Sequence, residues 1–163
     1  EKFFSKHYYF LTSVSLFRSH YTGSDGLLRN TAYSGGYVYN QLFGYEFPLG
    51  KKKNTTFSVD LKFTLAAGNR YTPIDLVASA AANRAVYIDS LAYSEKFKDY
   101  SRFDIQVSLR VNRKRAAHYI FMNVENLTNR KNILSEIFDS KLDALRTEYQ
   151  LGLFHYGGYR IEF

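Results

Sequence analysis

The chain has 163 residues, with 22 Lys and Arg against 15 Asp and Glu, a formal net charge of +7, no Cys, no Trp and two Pro. That length suits one domain; zero Cys excludes a disulfide scaffold, thiol chemistry and the usual structural zinc sites; and no run approaches the roughly 18 apolar residues of a membrane-spanning helix. Aromatic residues reach 18%, as fifteen Tyr and fourteen Phe, which favours strands and boundaries where one end of a ring is wet.

The chain opens Glu1-Lys2-Phe3-Phe4 without an initiator Met, and neither end carries a polar tail, so an excerpt from a longer polypeptide is expected. Period two then dominates. Tyr8, Phe10, Thr12, Val14 and Leu16 alternate against Tyr9, Leu11, Ser13 and Ser15, predicting a first strand that runs to about Arg18. After a long segment, Thr22 to Gly35, a second strand spans Gly36 to Phe47, with Tyr37, Tyr39, Gln41, Phe43, Tyr45 and Phe47 on one face. Gly50-Lys51-Lys52-Lys53-Asn54 reads as a tight turn into a third strand, Thr55 to Ala67, whose apolar row is Phe57, Val59, Leu61, Phe63 and Leu65.

A second long segment runs from Arg70 to Ser101, with a helical stretch expected at Ala78 to Ala82. The fourth strand, Arg102 to Asn112, sets Phe103, Ile105, Val107, Leu109 and Val111 against polar even positions. A tight turn from Asn112 to Ala117 leads to a fifth strand carrying Ile120, Met122 and Val124. In the third long segment, Asn129 to Glu148, the spacing of Ile133, Ile137, Phe138, Leu142 and Leu145 predicts a helical turn or more. A sixth strand closes the chain, with Leu151, Leu153, Tyr159, Ile161 and Phe163 on one face and Arg160 and Glu162 on the other.

The expectation is therefore an all-β fold of about six long antiparallel meander strands. Short turns on one side and long loops on the other are the topology of an outer-membrane barrel, and runs of this length match the about 9–11 residues of a tilted membrane-crossing strand rather than the about 5–6 of a soluble one. Glu46, Asp60, Lys62, Arg102, Asp104, Arg110, Glu125, Arg160 and Glu162 all fall on the less apolar face, the lumen side of such a barrel. Tyr8, Phe47, Phe57 and Phe163 fall on the apolar face near the short-turn end, as a partial aromatic girdle. A soluble antiparallel sheet with one wet face produces the same alternation, so a small soluble ligand-binding β-barrel stands as the alternative.

Tyr8 to Gly26, Arg29-Asn30-Thr31-Ala32-Tyr33, Tyr37-Val38-Tyr39-Asn40 and Gly44-Tyr45-Glu46-Phe47 resemble late barrel strands of TonB-dependent receptors. Gly68-Asn69-Arg70-Tyr71-Thr72-Pro73-Ile74-Asp75-Leu76 is similar to a loop opening of that family, Asn123 to Ile133 to its penultimate strand and the following loop, and Gly158-Tyr159-Arg160-Ile161-Glu162-Phe163 resembles its closing strand. The subtype resembled is the one carrying a carboxypeptidase-regulatory-like domain. The resemblance implies that residues 1–163 are the C-terminal part of a 22-stranded barrel in the outer membrane of a Gram-negative bacterium, facing its lipid. It also implies a plug and a TonB box elsewhere in the parent protein, energy from TonB, ExbB and ExbD, and import of a small ligand: a siderophore, a cobalamin or a glycan. Tyr159, Ile161 and Phe163 then resemble the signal read by the barrel assembly machinery.

Other candidates are weaker. His7, His20, His118 and His155 lack metal or triad spacing, and Asp25 in Gly-Ser-Asp-Gly is explained by turn chemistry before cation binding. The pairs Asp60–Lys62, Arg102–Asp104 and Arg160–Glu162 suggest cross-strand ion pairing. Arg70, Tyr71 and Asp75 are the candidate ligand-loop residues, with bracing of the loop base as the rival role. Lys51 to Lys53 read first as a solvated turn and second as a contact for anionic headgroups. The basic residues form no stripe with stacking aromatics, so nucleic acid is not an expected partner. No cofactor and no enzymatic activity are expected.

Overall fold

The computed structural model describes residues 1–50 and 54–163. In chain order the elements are β1 (Lys2–Ser5), β2 (Tyr8–Phe17), β3 (His20–Thr22), β4 (Leu28–Asn30), β5 (Gly36–Leu49), β6 (Thr55–Ala66), β7 (Arg70–Tyr71) and α1 (Leu76–Ala82). A 3-10 turn at Asp89–Leu91 follows, then β8 (Glu95–Lys96), β9 (Tyr100–Asn112), β10 (Ala117–Glu125), β11 (Ile133–Asp139), β12 (Ala144–Tyr149) and β13 (Phe154–Glu162). The main sheet is antiparallel, in the order β1-β2-β5-β6-β9-β10-β13, and does not close into a barrel. The six long strands are those expected from alternation.

Three features differ from the sequence-based expectation. A short seventh strand, β1, pairs with the start of β2 through a turn in which Lys6 and His7 both have positive φ, 51° and 71°. Such a turn normally advertises itself with Asn or Gly, and here the sequence offers neither. The third long segment holds the hairpin β11–β12 in place of a helix, with Phe138 opposite Leu145 and Ile137 opposite Arg146. The apolar spacing there fits a helical period by coincidence: Phe138 and Leu145 face each other across the hairpin, Ile137 lies on the other face and Leu142 is exposed in the turn. Finally, β13 starts at Phe154, so Leu151 and Leu153 belong to the preceding loop and not to the closing strand's apolar face. The helix at Ala78 to Ala82 is present in α1, and the Arg113 N–H bonds the Ala116 carbonyl in the expected tight turn. The Lys51 to Lys53 turn lies outside the described residues.

Register fixes the faces. Phe57, Val59, Leu61 and Phe63 of β6 lie opposite Leu109, Val107, Ile105 and Phe103 of β9, and opposite Phe47, Tyr45, Phe43 and Gln41 of β5. The row continues through Phe10, Val14 and Leu16 of β2, Ile120, Met122 and Val124 of β10, and Tyr159 and Ile161 of β13. Among the described residues none forms a second layer over this apolar face, and the extensive contacts of each long strand are with its hydrogen-bonded neighbours. Val14 is 62% exposed, Leu16 79%, and Ile120 51%; among the described residues Ala67 is the one buried hydrophobic side chain. The most buried charged side chain of the sheet belongs to the other face, at Asp104, and buried Ser108 lies farther along the same face of β9.

Candidate functional site

All nine charged residues expected on one side of the sheet share it. Arg102 reaches Asp104 at 2.9 Å within β9 and Glu125 of β10 at 3.4 Å. Arg110 reaches Glu162 at 2.9 Å over the intervening β10, where small Ala117 stands opposite Glu162, and Arg160 reaches the same carboxylate at 2.9 Å. Arg160 also lies over the Tyr119 ring, 5.1 Å from its centroid. Of the three doublets expected to pair across strands, Arg102 does so with Glu125 and Glu162 with Arg110, while Arg102–Asp104 and Arg160–Glu162 also pair within one strand. Asp60 does not pair with Lys62 but accepts a 2.9 Å hydrogen bond from the Tyr9 hydroxyl. Glu46 forms no ion pair among the described residues. These partly exposed pairs contribute about 0–1 kcal/mol each, so they order the face more than they stabilise it.

The three long loops leave the sheet at one end and meet there. Arg70 donates from Nε to the Ser34 carbonyl (3.0 Å) and from one terminal nitrogen to the carbonyls of Tyr93 (3.3 Å) and Ser94 (3.1 Å), tying the first loop to the second. Tyr71 stacks on Phe97 with ring centroids 4.1 Å apart and planes 9° from parallel. Burial, with Glu136 and Glu95 nearby, pushes the Tyr71 phenol above its ordinary pKa, so it stays a neutral hydrogen-bonding group. Asp75 caps α1 by accepting the Ala78 N–H at 2.9 Å. Asp99 accepts from the Tyr37 hydroxyl and the Gly68 N–H and sits 3.7 Å from Lys96, which together hold its carboxyl below the usual range.

Between these loops lies an open cleft of about 650 Å³ whose walls include Tyr33, Arg70, Tyr71, Tyr87, Asp89 and Glu136. Of the candidate ligand-loop residues, Arg70 and Tyr71 line it and Asp75 does not. Arg70 uses its Nε and one terminal nitrogen on backbone carbonyls, so its observed work is bracing, and the cleft surface is largely aromatic with carboxylates among its walls. Such walls suit a ligand bound by stacking and by hydrogen bonds to hydroxyl or amide groups.

Sequence reasoning missed several organising residues. Asn126 is 1% exposed and adopts φ 51°; its amide donates to the carbonyls of Arg130 (3.0 Å) and Leu151 (3.2 Å), and its own N–H donates to Asp104 (2.9 Å). Asn132 exchanges two hydrogen bonds with the Ser101 backbone, as a neighbouring strand would. The Asn-Leu-Thr-Asn run around them was a legible turn signal. Asp25 accepts the Leu27 N–H at 3.1 Å, the turn role expected of it, and is also held by Arg29 at 2.6 Å. Among the described residues no three His, Cys, Asp or Glu group as a metal site. The four His are dispersed, and His118 Nδ1 lies 2.7 Å from the Tyr159 hydroxyl. Tyr159 and Ile161 point to the apolar side, and Phe163 is 99% exposed beyond the last strand. No family model, no curated protein and no solved structure matches this chain.

Proposed function

We propose that this chain is a stretch of the wall of an outer-membrane active transporter, the C-terminal part of a TonB-dependent receptor. One observation carries the reading: six long hydrogen-bonded strands present a mainly apolar face, interrupted at Thr12, Gln41 and His118, that none of the described residues covers. In water a patch of this extent is a liability, and in hydrocarbon it is the required surface. The sequence stretches that resemble TonB-dependent receptors support the same assignment. On this reading the charged face lines the lumen, the short turns face the periplasm, and the long loops with their cleft face outward toward the imported ligand. The outer edge of β13 then pairs with a strand of the parent barrel. TonB, ExbB and ExbD act through the parent's N-terminal part, the assembly machinery reads the segment ending at Phe163, and the protein performs no enzymatic step.

The absence of native Cys makes a direct test clean. Single substitutions Val59→Cys, Leu61→Cys and Val107→Cys, and on the opposite face Ser58→Cys, Asp60→Cys and Gln106→Cys, are labelled with an environment-sensitive fluorophore after reconstitution into phosphatidylcholine vesicles. Probes at odd positions should be quenched by brominated lipid and those at even positions by an aqueous quencher. Water-soluble folding with the odd positions shielded by protein would overturn the proposal in favour of a soluble ligand-binding barrel.

A further inference from the structure

The two described short connections, β1–β2 and β9–β10, lie at one end of the sheet and carry basic residues without an acid. Lys6 and His7 form the β1–β2 turn, Arg113, Lys114 and Arg115 the β9–β10 turn, and the sequence places Lys51, Lys52 and Lys53 between β5 and β6. The turns adjoin one another's strands: the Glu46 N–H bonds the His7 carbonyl at 2.8 Å, and the Asn112 N–H bonds the Asn54 carbonyl at 2.8 Å. None of these connections contains Asp or Glu. The two described turns hold four Lys and Arg and no acid; Lys51 to Lys53 lie outside the described residues, and beyond these three runs the fifteen remaining Lys and Arg of the sequence equal its fifteen Asp and Glu. The long loops at the other end are nearly balanced, with ten Lys and Arg against nine Asp and Glu.

The described cations of this rim, Lys6, Arg113, Lys114 and Arg115, are exposed. Glu162, the acid closest to the rim on β13, is occupied by Arg110 and Arg160 and does not neutralise it. On the apolar face the rim is preceded by Tyr8, Phe47 and Phe57. At this end the apolar face therefore passes from mixed aliphatic and aromatic side chains to cationic turns, the order in which a leaflet presents tails and phosphates.

We propose that the short-turn rim is a binding surface for the phosphates of anionic phospholipid headgroups, held by the leaflet in which this end of the sheet lies. The inference rests on the membrane reading above. Clustered Lys and Arg within a Debye length of one surface attract it collectively, and the guanidinium groups of Arg113 and Arg115 add forked hydrogen bonding to phosphate oxygens.

The test compares the full chain in vesicles of phosphatidylcholine alone and of phosphatidylcholine mixed with phosphatidylglycerol, at low and high salt. Insertion is scored by protection of the strands from protease. Partition into the mixed vesicles should exceed that into neutral ones by at least about tenfold at low salt. R113Q/K114Q/R115Q should remove most of that preference while keeping insertion, and K98Q/K131Q/K141Q at the loop end should leave it unchanged. Equal insertion into both vesicle types would overturn this proposal alone, and failure to insert into either would overturn the membrane reading with it. Saturation of the rim by polyglutamate in the inserted chain, with no effect of phosphatidylglycerol, would reassign the rim to an acidic protein and overturn the lipid proposal.

Discussion

The Tyr9 hydroxyl reaches Asp60 two strands away, at 2.9 Å, by passing over Gly44 of the strand between them. A Cβ at Gly44 would overlap both the Tyr9 ring and the Asp60 carboxylate, so the glycine is there for space and not for an unusual φ. Gly44→Ala should therefore displace the ring and break the bond, destabilising the sheet by about 1–3 kcal/mol, whereas Tyr9→Phe should cost about 1 kcal/mol. Urea unfolding of the reconstituted chain measures both. Because the two substitutions remove the same contact, the double variant should cost less than their sum. Additive effects would show that the glycine and the hydrogen bond act independently.

Asn126 closes the start of the third long loop through a buried amide and a left-handed backbone. Asn126→Ala leaves the Arg130 and Leu151 carbonyls without their donor and keeps a Cβ at positive φ, an expected loss of about 2–4 kcal/mol. Asn126→Gly relieves the backbone term alone and should recover about 1 kcal/mol of it. Limited proteolysis between residues 127 and 153 reports the local effect. Faster cleavage of the alanine variant, with protection of β9 and β10 kept, is the expected result.

The long strands were legible because charge and period agree: Asp60, Lys62, Arg102 and Asp104 alternate with Leu61, Phe63, Phe103 and Ile105 without a single exchange of face. Where the two signals part, legibility ends. Ile137 and Phe138 are adjacent apolar residues on opposite faces of a short hairpin, a pattern that a helical period fits equally well. The cleft was beyond reach for another reason. Tyr33, Arg70 and Glu136 come from three loops, and what brings them together is the sheet that collects all three loops at one end. For Asp75 in Tyr-Thr-Pro-Ile-Asp, ligand contact and bracing of the loop base are both open in the sequence, and its carboxylate caps the short helix it precedes. A cap and a ligand contact call for the same residue type, and only the position of α1 separates them.

Asp25 offers a pH prediction outside the strands of the main sheet. Hydrogen bonding by Arg29, supported by the Leu27 N–H, lowers its carboxyl pKa to about 2. A folded pKa below the unfolded one contributes stability above the unfolded value, and that contribution is lost as pH falls toward about 2. Carboxyl NMR should find Asp25 titrating near that value in the native chain and within the ordinary carboxylate range in Arg29→Gln. The β3–β4 hairpin should loosen over the same acid range, read by amide exchange at Tyr21 and Leu28. An unchanged titration in Arg29→Gln would mean the ion pair does not hold the turn.

The two faces of β9 differ in what a new charge must displace. Val107 sits mid-strand between Val59 and Met122 on the uncovered apolar face, and Gln106 sits beside it on the polar face opposite Asp60 and Asn123. In a bilayer, Val107→Lys places an ammonium at the depth where charge is costliest, and its long stem does not reach water from there. The expected loss is roughly 2–4 kcal/mol in urea unfolding from vesicles, falling to about 0–1 kcal/mol for Val111→Lys next to the turn, because the penalty decays toward the interface. Gln106→Lys adds a cation beside acidic neighbours and should stay within about 0.5 kcal/mol of the parent. A depth gradient along odd positions with none along even positions is the signature of hydrocarbon on one face only. Were that face instead turned to water, Val107→Lys and Val111→Lys would both be nearly neutral, and were it packed inside a closed soluble barrel, the cost would follow local burial with no relation to distance from the turn.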